Sequence, residues 1–135
     1  MRENKSVHYD LDPEVHTNHC FFIDIGFDYR LQGKYDLAIK FFQKAIAIDP
    51  ENVSAHLGLG DTYFNQGKYD LVIESYQKAI AIDPNDAGAY YGLGSVYSIQ
   101  DKKALCAEYI RKAISLDLAA DNIELELEGG VIITG

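Results

Sequence analysis

Gly33–Pro50 reads GKYDLAIKFFQKAIAIDP and Gly67–Pro84 reads GKYDLVIESYQKAIAIDP. The two stretches agree at 14 of 18 positions and end 84 − 50 = 34 residues apart. A fixed period of that length marks a repeat array, in which each unit is one supersecondary piece that buries its apolar face only against its neighbours. Outward from these stretches the same skeleton appears three times. The middle unit has His56-x2-Leu59-Gly60-x2-Tyr63, then Val72-x3-Tyr76, then Pro84. The first has Phe22-x2-Ile25-Gly26-x2-Tyr29, Ala38-x3-Phe42 and Pro50, and the third has Tyr90-x2-Leu93-Gly94-x2-Tyr97 and Cys106-x3-Ile110. The third ends on Leu118 where a proline would be expected.

The residues themselves predict two helices per unit. Leu59, Tyr63 and Gln66 recur at helical spacing, which buries one face of a first helix. Leu71, Val72, Tyr76, Ala79 and Ile80 form the stripe of a second. Asn65-Gln66-Gly67-Lys68 between them is a short turn whose glycine can take the left-handed conformation that closes a helix. Asp83-Pro84 ends the second helix, because the residue before proline is pushed out of the helical region. Gly26, Gly60 and Gly94 are expected to face Ala38, Val72 and Cys106 within their own units. On that reading Gly60→Leu costs roughly 1–3 kcal/mol by overpacking.

This pattern resembles the tetratricopeptide repeat: a large residue, Leu, Gly and Tyr on a first helix, a small and an aromatic residue on a second, then Pro. The resemblance covers about residues 19 to 120. It implies an all-α chain with units at about 19–52, 53–86 and 87–120, stacked into a right-handed superhelix whose concave face is lined by the first helices. The groove residues implied for this chain include Ile23, Asp24, Phe27, Leu57, Asp61, Phe64, Tyr91 and Ser95. Some members of the family that bind chaperones hold a partner's C-terminal carboxylate with a clamp of Lys, Asn and Arg. At the corresponding places stand Ile23, Phe27, Gly58, Gly88 and Gly92, so docking of a chaperone C-terminal peptide is not expected.

With 135 residues the chain holds one domain and about the minimum number of repeats for a stable stack. Its net charge is −9, the opposite of the cationic footprint that nucleic-acid binding requires, and anionic membranes are disfavoured for the same reason. No secretory leader and no 18-residue apolar run are visible, which points to a cytoplasmic protein. Asn52-Val53-Ser54 matches a glycosylation sequon, read as chance without a secretory route. Cys106 occupies the small core position of its unit and reads as a buried hydrophobe.

The ends are less regular. Residues 1 to 12 read as a loose polar segment, and Asp12-Pro13-Glu14 looks like a helix start. Thr17 is the alternative cap. Residues 121 to 135 form a candidate cap or swap segment with two open readings. Asp121 and Glu124 would make a capping box for a short helix. Ile123, Leu125 and Leu127 alternate with glutamates ahead of Gly129-Gly130, which reads equally as a short hairpin.

Nothing in the chain composes a catalytic constellation. Gly58-Leu59-Gly60 and Gly92-Leu93-Gly94 lack the third glycine and the preceding strand of a phosphate loop, and helix packing accounts for them better. His16, His19 and Cys20 would place two ligands on one helix face where a metal needs three or four; no metal and no cofactor are expected. The function expected is a non-enzymatic module that binds a peptide or helix of a partner protein in the groove, with Phe27, Leu57, Phe64 and Tyr91 as anchors. The alternative is a homo-oligomer assembled through the terminal repeat and the C-terminal segment.

Overall fold

A computed structural model describes residues 19 to 129. Among them run six helices and no strand: α1 His19–Leu31, α2 Tyr35–Ile48, α3 Val53–Gln66, α4 Tyr69–Ile82, α5 Ala87–Ile99 and α6 Lys103–Gly129. Successive helices pair as α1/α2, α3/α4 and α5/α6, and the pairs stack through α2 on α3 and α4 on α5. The first helices α1, α3 and α5 also adjoin one another, as they do along the concave side of a superhelix. The fold is all-α with three helix-turn-helix units.

Local chemistry sets the boundaries. Asn52 and Asp86, again 34 residues apart, are the N-caps of α3 and α5, and each side chain accepts a hydrogen bond from the backbone N–H three residues on. The asparagine of the apparent sequon is therefore a helix cap. Gly33 and Gly67 close α1 and α3 with φ of 81° and 76°, the left-handed region where only glycine is unstrained. In the third unit the same place is held by Asp101 at φ 62°. Asp49 and Asp83, each ahead of a proline, leave α2 and α4 in extended conformation, and their carboxylates accept from the backbone of Glu51 and Asn85.

Leu118 stands where those prolines stand, and nothing stops the helix. α6 continues through Gly129 for 27 residues, against 14 each for α2 and α4. Of the two readings of the C-terminal segment, residues 121–129 are helical and continuous with the third unit's second helix, so the hairpin over Ile123–Leu127 is not formed. Lacking the proline clash, the backbone keeps its i→i−4 bonds. The expected helix start near Pro13 or Thr17 lies outside the described residues, as do residues 130–135 of the tail.

Two buried clusters form the core. Ile25, Ala38, Phe42 and Ala45 centre the first, and Val72, Ala79, Ala89, Leu93 and Val96 centre the second. Tyr63 packs against both and joins them. The stripe on α4 holds Val72, Tyr76 and Ala79 inside as expected, but Leu71 is exposed. Its counterparts Leu37 and Leu105 are exposed too, so this register position points outward in every unit. Cys106 is half-buried rather than enclosed, because no fourth helix pair covers α6 among the described residues.

The nearest neighbours of these glycines are the large residues four positions beyond the expected small ones, although Gly94 also meets the Cys106 carbonyl, 3.5 Å from where its Cβ would stand. A Cβ on Gly26 would stand 2.7 Å from the ring of Phe42, one on Gly60 2.8 Å from the ring of Tyr76, and one on Gly94 2.5 Å from Ile110. The same rings are met from the other side by the next unit: Gly58 would approach Phe42 to 2.4 Å and Gly92 would approach Tyr76 to 2.5 Å. Phe42 and Tyr76 are thus each clamped between a glycine of their own unit and a glycine of the following one. The Gly-Leu-Gly triplets serve two neighbours at once, Phe42 and Tyr76 for the first and Tyr76 and Ile110 for the second, while the leucine between them enters the core.

Candidate protein-binding groove

The clamp aims the ring of Tyr76 from α4 through the stack toward the first helices. Where the first unit has Phe42, the middle unit has a hydroxyl, and the Tyr76 O–H donates to Asp61 Oδ1 on α3. Burial, then the bond to the Asp61 carboxylate and its negative charge, push the phenol well above the ordinary tyrosine range; the nearby Arg30 guanidinium opposes this weakly. Arg30 comes from α1, donates from Nη1 to Asn65 Oδ1 at 3.0 Å, and sits 6.0 Å from the centre of the Phe27 ring. Its Nε is buried without a hydrogen-bond partner.

These groups share one open depression of about 340 Å³, lined by Arg30, Asp61, Phe64, Asn65, Tyr76, Gly92 and Ser95. It draws on the first helices of all three units and on one side chain from the middle of a second helix. The sequence pattern placed Asp61, Phe64 and Ser95 in the groove, and all three line this depression. Ser95 donates to the carbonyl of Tyr91 one turn back. Phe64 is half-buried and meets Tyr69 edge-on at 5.8 Å.

The remaining expected groove residues are placed differently. Ile23 is buried in the first core cluster at 7% exposure. Phe27 is half-buried, edge-on to Phe42 at 4.9 Å, and Leu57 packs against the second cluster. Asp24 is exposed on α1. Tyr91 is exposed and its hydroxyl donates to Asp117 Oδ2 on α6 at 3.2 Å. Tyr76 was read only as core, because its position on a second helix hides that its hydroxyl emerges among the first helices. The signal available was the Phe42-to-Tyr76 difference between two otherwise near-identical stretches.

Of the candidate metal cluster, His16 and the side chain of His19 lie outside the described residues, and Cys20 is exposed on α1. Among the described residues no group of three His, Cys, Asp or Glu converges on a point that could hold a metal, and no helix is long and apolar enough to cross a membrane. His56, the large-residue slot of the middle unit, is buried and its ring Nε2 lies 2.9 Å from the Pro50 carbonyl. That oxygen can only accept, so this nitrogen carries the proton.

Comparison with known proteins agrees with the architecture. The sequence profile of the TPR repeat matches residues 26–67 and 60–100, and that of the tetratricopeptide repeat matches residues 87–119. Together they span most of the chain, which belongs to the tetratricopeptide repeat family. A crystal structure of MamA is 26% identical, with a TM-score of 0.76 over 78% of this chain and 62% of that one. The chain therefore spans less than two thirds of MamA. The second TPR domain of Spaghetti (RPAP3), solved with an HSP90 peptide SRMEEVD, has a TM-score of 0.71 at 20% identity and covers 76% of this chain and 95% of that one. A sequence comparison with curated proteins gives no match.

Proposed function

We propose that the chain is a non-enzymatic module that binds a segment of a partner protein in the groove of its first helices. One observation carries this reading: a single depression gathers Arg30, Asp61, Asn65, Phe64 and Ser95 from three successive units. It offers an aromatic wall, a cation and a carboxylate within one site, which suits a peptide with both apolar and polar groups. Asp61 and the exposed Asp24 favour a basic partner. The acidic SRMEEVD peptide bound by the RPAP3 domain is a poor match, and two of the clamp positions, Ile23 and Gly58, are buried here. Short segments held in this manner bind with Kd around 1 μM, about 8 kcal/mol.

To test it, a photo-crosslinking residue at Ser95 would label the partner, with one at the outward-facing Leu71 as control. The labelled segment, made as a peptide, would then be titrated against the wild-type chain and a Phe64→Ala, Tyr91→Ala double variant. Loss of binding at unchanged helicity supports the groove. Binding that survives the double substitution removes it.

A second reading, self-assembly through the terminal repeat, is favoured by Ile114 and Leu118, which are 43% and 54% exposed on α6. Light scattering on the purified chain decides it: a monomer at every concentration removes this reading.

A further inference from the structure

A second cavity, sharing no residue with the groove, opens between the second helices α4 and α6. It measures about 610 Å³ and is lined by Gln77 and Ile80 of α4, Tyr90 of α5, and Glu108, Tyr109, Arg111 and Lys112 of α6. That volume is in the range of sites for small ligands or single side chains. Its walls are apolar and aromatic. Tyr109 stacks on Tyr90 at 6.1 Å and 29°, and also meets Tyr97 at 5.5 Å in a tilted arrangement.

The same register position can be followed through all three units. The first unit carries Phe22, Tyr29 and Phe41 in the equivalent arrangement, with Lys44 Nζ 5.2 Å from the Phe41 ring and 5.6 Å from the Phe22 ring. A cation lying against aromatic rings is therefore already realised there by the chain's own lysine. In the middle unit the ladder is interrupted: Ser75 replaces the ring and is buried, His56 is tied to Pro50, and Lys78 pairs with Glu74 at 3.7 Å. The third unit restores the rings as tyrosines and changes the rim. Gln43 and Gln77 become Arg111, beside Lys112, the counterpart of Lys44.

Arg111 and Lys112 against the single acid Glu108 leave the rim with one excess positive charge, in a chain whose net charge is −9. We infer that this cavity binds an aromatic carboxylate, the ring lying against Tyr90, Tyr109 and Ile80 and the carboxylate meeting Arg111 and Lys112. Aromatic faces pack favourably on flat rings, and a planar guanidinium pairs with a carboxylate through two parallel N–H bonds. The same chemistry is offered by a free aromatic acid and by an aromatic residue flanked by acids on a partner protein.

The chain contains no tryptophan, so a tryptophan-bearing probe is read without background, by energy transfer from the cavity tyrosines. N-acetyl-tryptophan is expected to bind saturably, and its uncharged amide about fivefold or more weaker, since one lost charge contact of about 1 kcal/mol amounts to that ratio. Tyr109→Ser and Arg111→Gln install the residues that the middle unit carries at these positions, so the fold has precedent for both. Each should weaken the acid severalfold, Arg111→Gln at an unchanged melting midpoint and Tyr109→Ser at a lowered one with helicity retained at the assay temperature, whereas Arg30→Gln in the groove should leave it unaltered. A blocked Glu-Trp-Glu peptide amide separates the two sources: tighter binding than the free acid assigns the site to a partner segment, weaker binding to a small acid. Equal affinity for acid and amide, indifference to both cavity variants, or no saturable binding of either carboxylate probe overturns the inference.

Discussion

The first and second units make the same interface from nearly the same words, yet only one of them carries chemistry. Phe42 sits between Gly26 and Gly58, and Tyr76 sits between Gly60 and Gly92, with closest approaches of 2.4 to 2.8 Å to a hypothetical Cβ on either side. Both rings are buried, at 0% and 5% exposure. The difference is one oxygen. Phe42 ends in hydrocarbon, whereas the Tyr76 hydroxyl reaches Asp61 in the groove. Packing is thus held constant while a single atom carries a structural residue into the lining of the depression. The third unit completes the comparison: Ile110 meets Gly94 but has no following glycine, so it is only half-buried.

The largest effect should come from emptying a clamp. Phe42→Ala removes a fully buried ring from between two helix pairs and should destabilise by about 4 kcal/mol in urea unfolding. A loss under about 1 kcal/mol would mean the ring is not held as described. Filling the clamp comes next. Gly58→Leu should cost about 3 kcal/mol by overpacking, and combining it with Phe42→Ala should cost less than the sum of the two, because the substitutions act on one space. Strict additivity in that cycle would show the glycine and the ring to be independent.

The added oxygen is tested more gently. Tyr76→Phe leaves packing intact and Asp61 without its donor, and should destabilise by about 1 kcal/mol. The two proteins should also diverge with pH. Because the folded-state phenol is raised above its unfolded value, the folded form holds its proton more firmly. The resulting stability is full below about pH 10 and is lost as pH rises beyond it. Alkaline unfolding should therefore be steeper in the wild type than in Tyr76→Phe; coincident profiles would remove the Tyr76 assignment. The smallest effect compares the turns. Asp101→Gly gives the third unit the residue found at Gly33 and Gly67, and should stabilise by about 0.5 kcal/mol through relief at positive φ. A thermal melt unmoved or lowered would show that Asp101 is not strained.

Most of the fold was legible in the sequence because a period states the same structure several times. The turn glycines, the Asp-Pro stops and the buried stripe of α4 followed from local rules that do not depend on distant partners. Leu118 was also visible, but not its consequence: a missing stop signal permits a helix to continue without compelling it, and the alternating Ile123 to Glu128 suited another conformation equally. Of the depression, three lining residues were legible. Asp61, Phe64 and Ser95 lie on the outward side of their helices at positions the repeat pattern assigns. Ile23 fell in the first core cluster, whereas Leu57 at the same register position is half-buried and Tyr91 exposed, a difference that the spacing does not state.

The sequence alone determined that this chain is a stack of helix pairs, where each pair turns and where two of them end, since those features are written in the spacing of glycine, proline and apolar residues. Only the tertiary structure decided what faces what. It set Gly26, Gly58, Gly60 and Gly92 against two rings, brought Arg30 and Asp61 into one depression, and lined one cavity with Ile80, Tyr90 and Tyr109. A one-dimensional pattern fixes the side of a helix on which a residue lies. The partner on that side is chosen by how neighbouring helices approach, and that depends on atoms contributed 30 or more residues away.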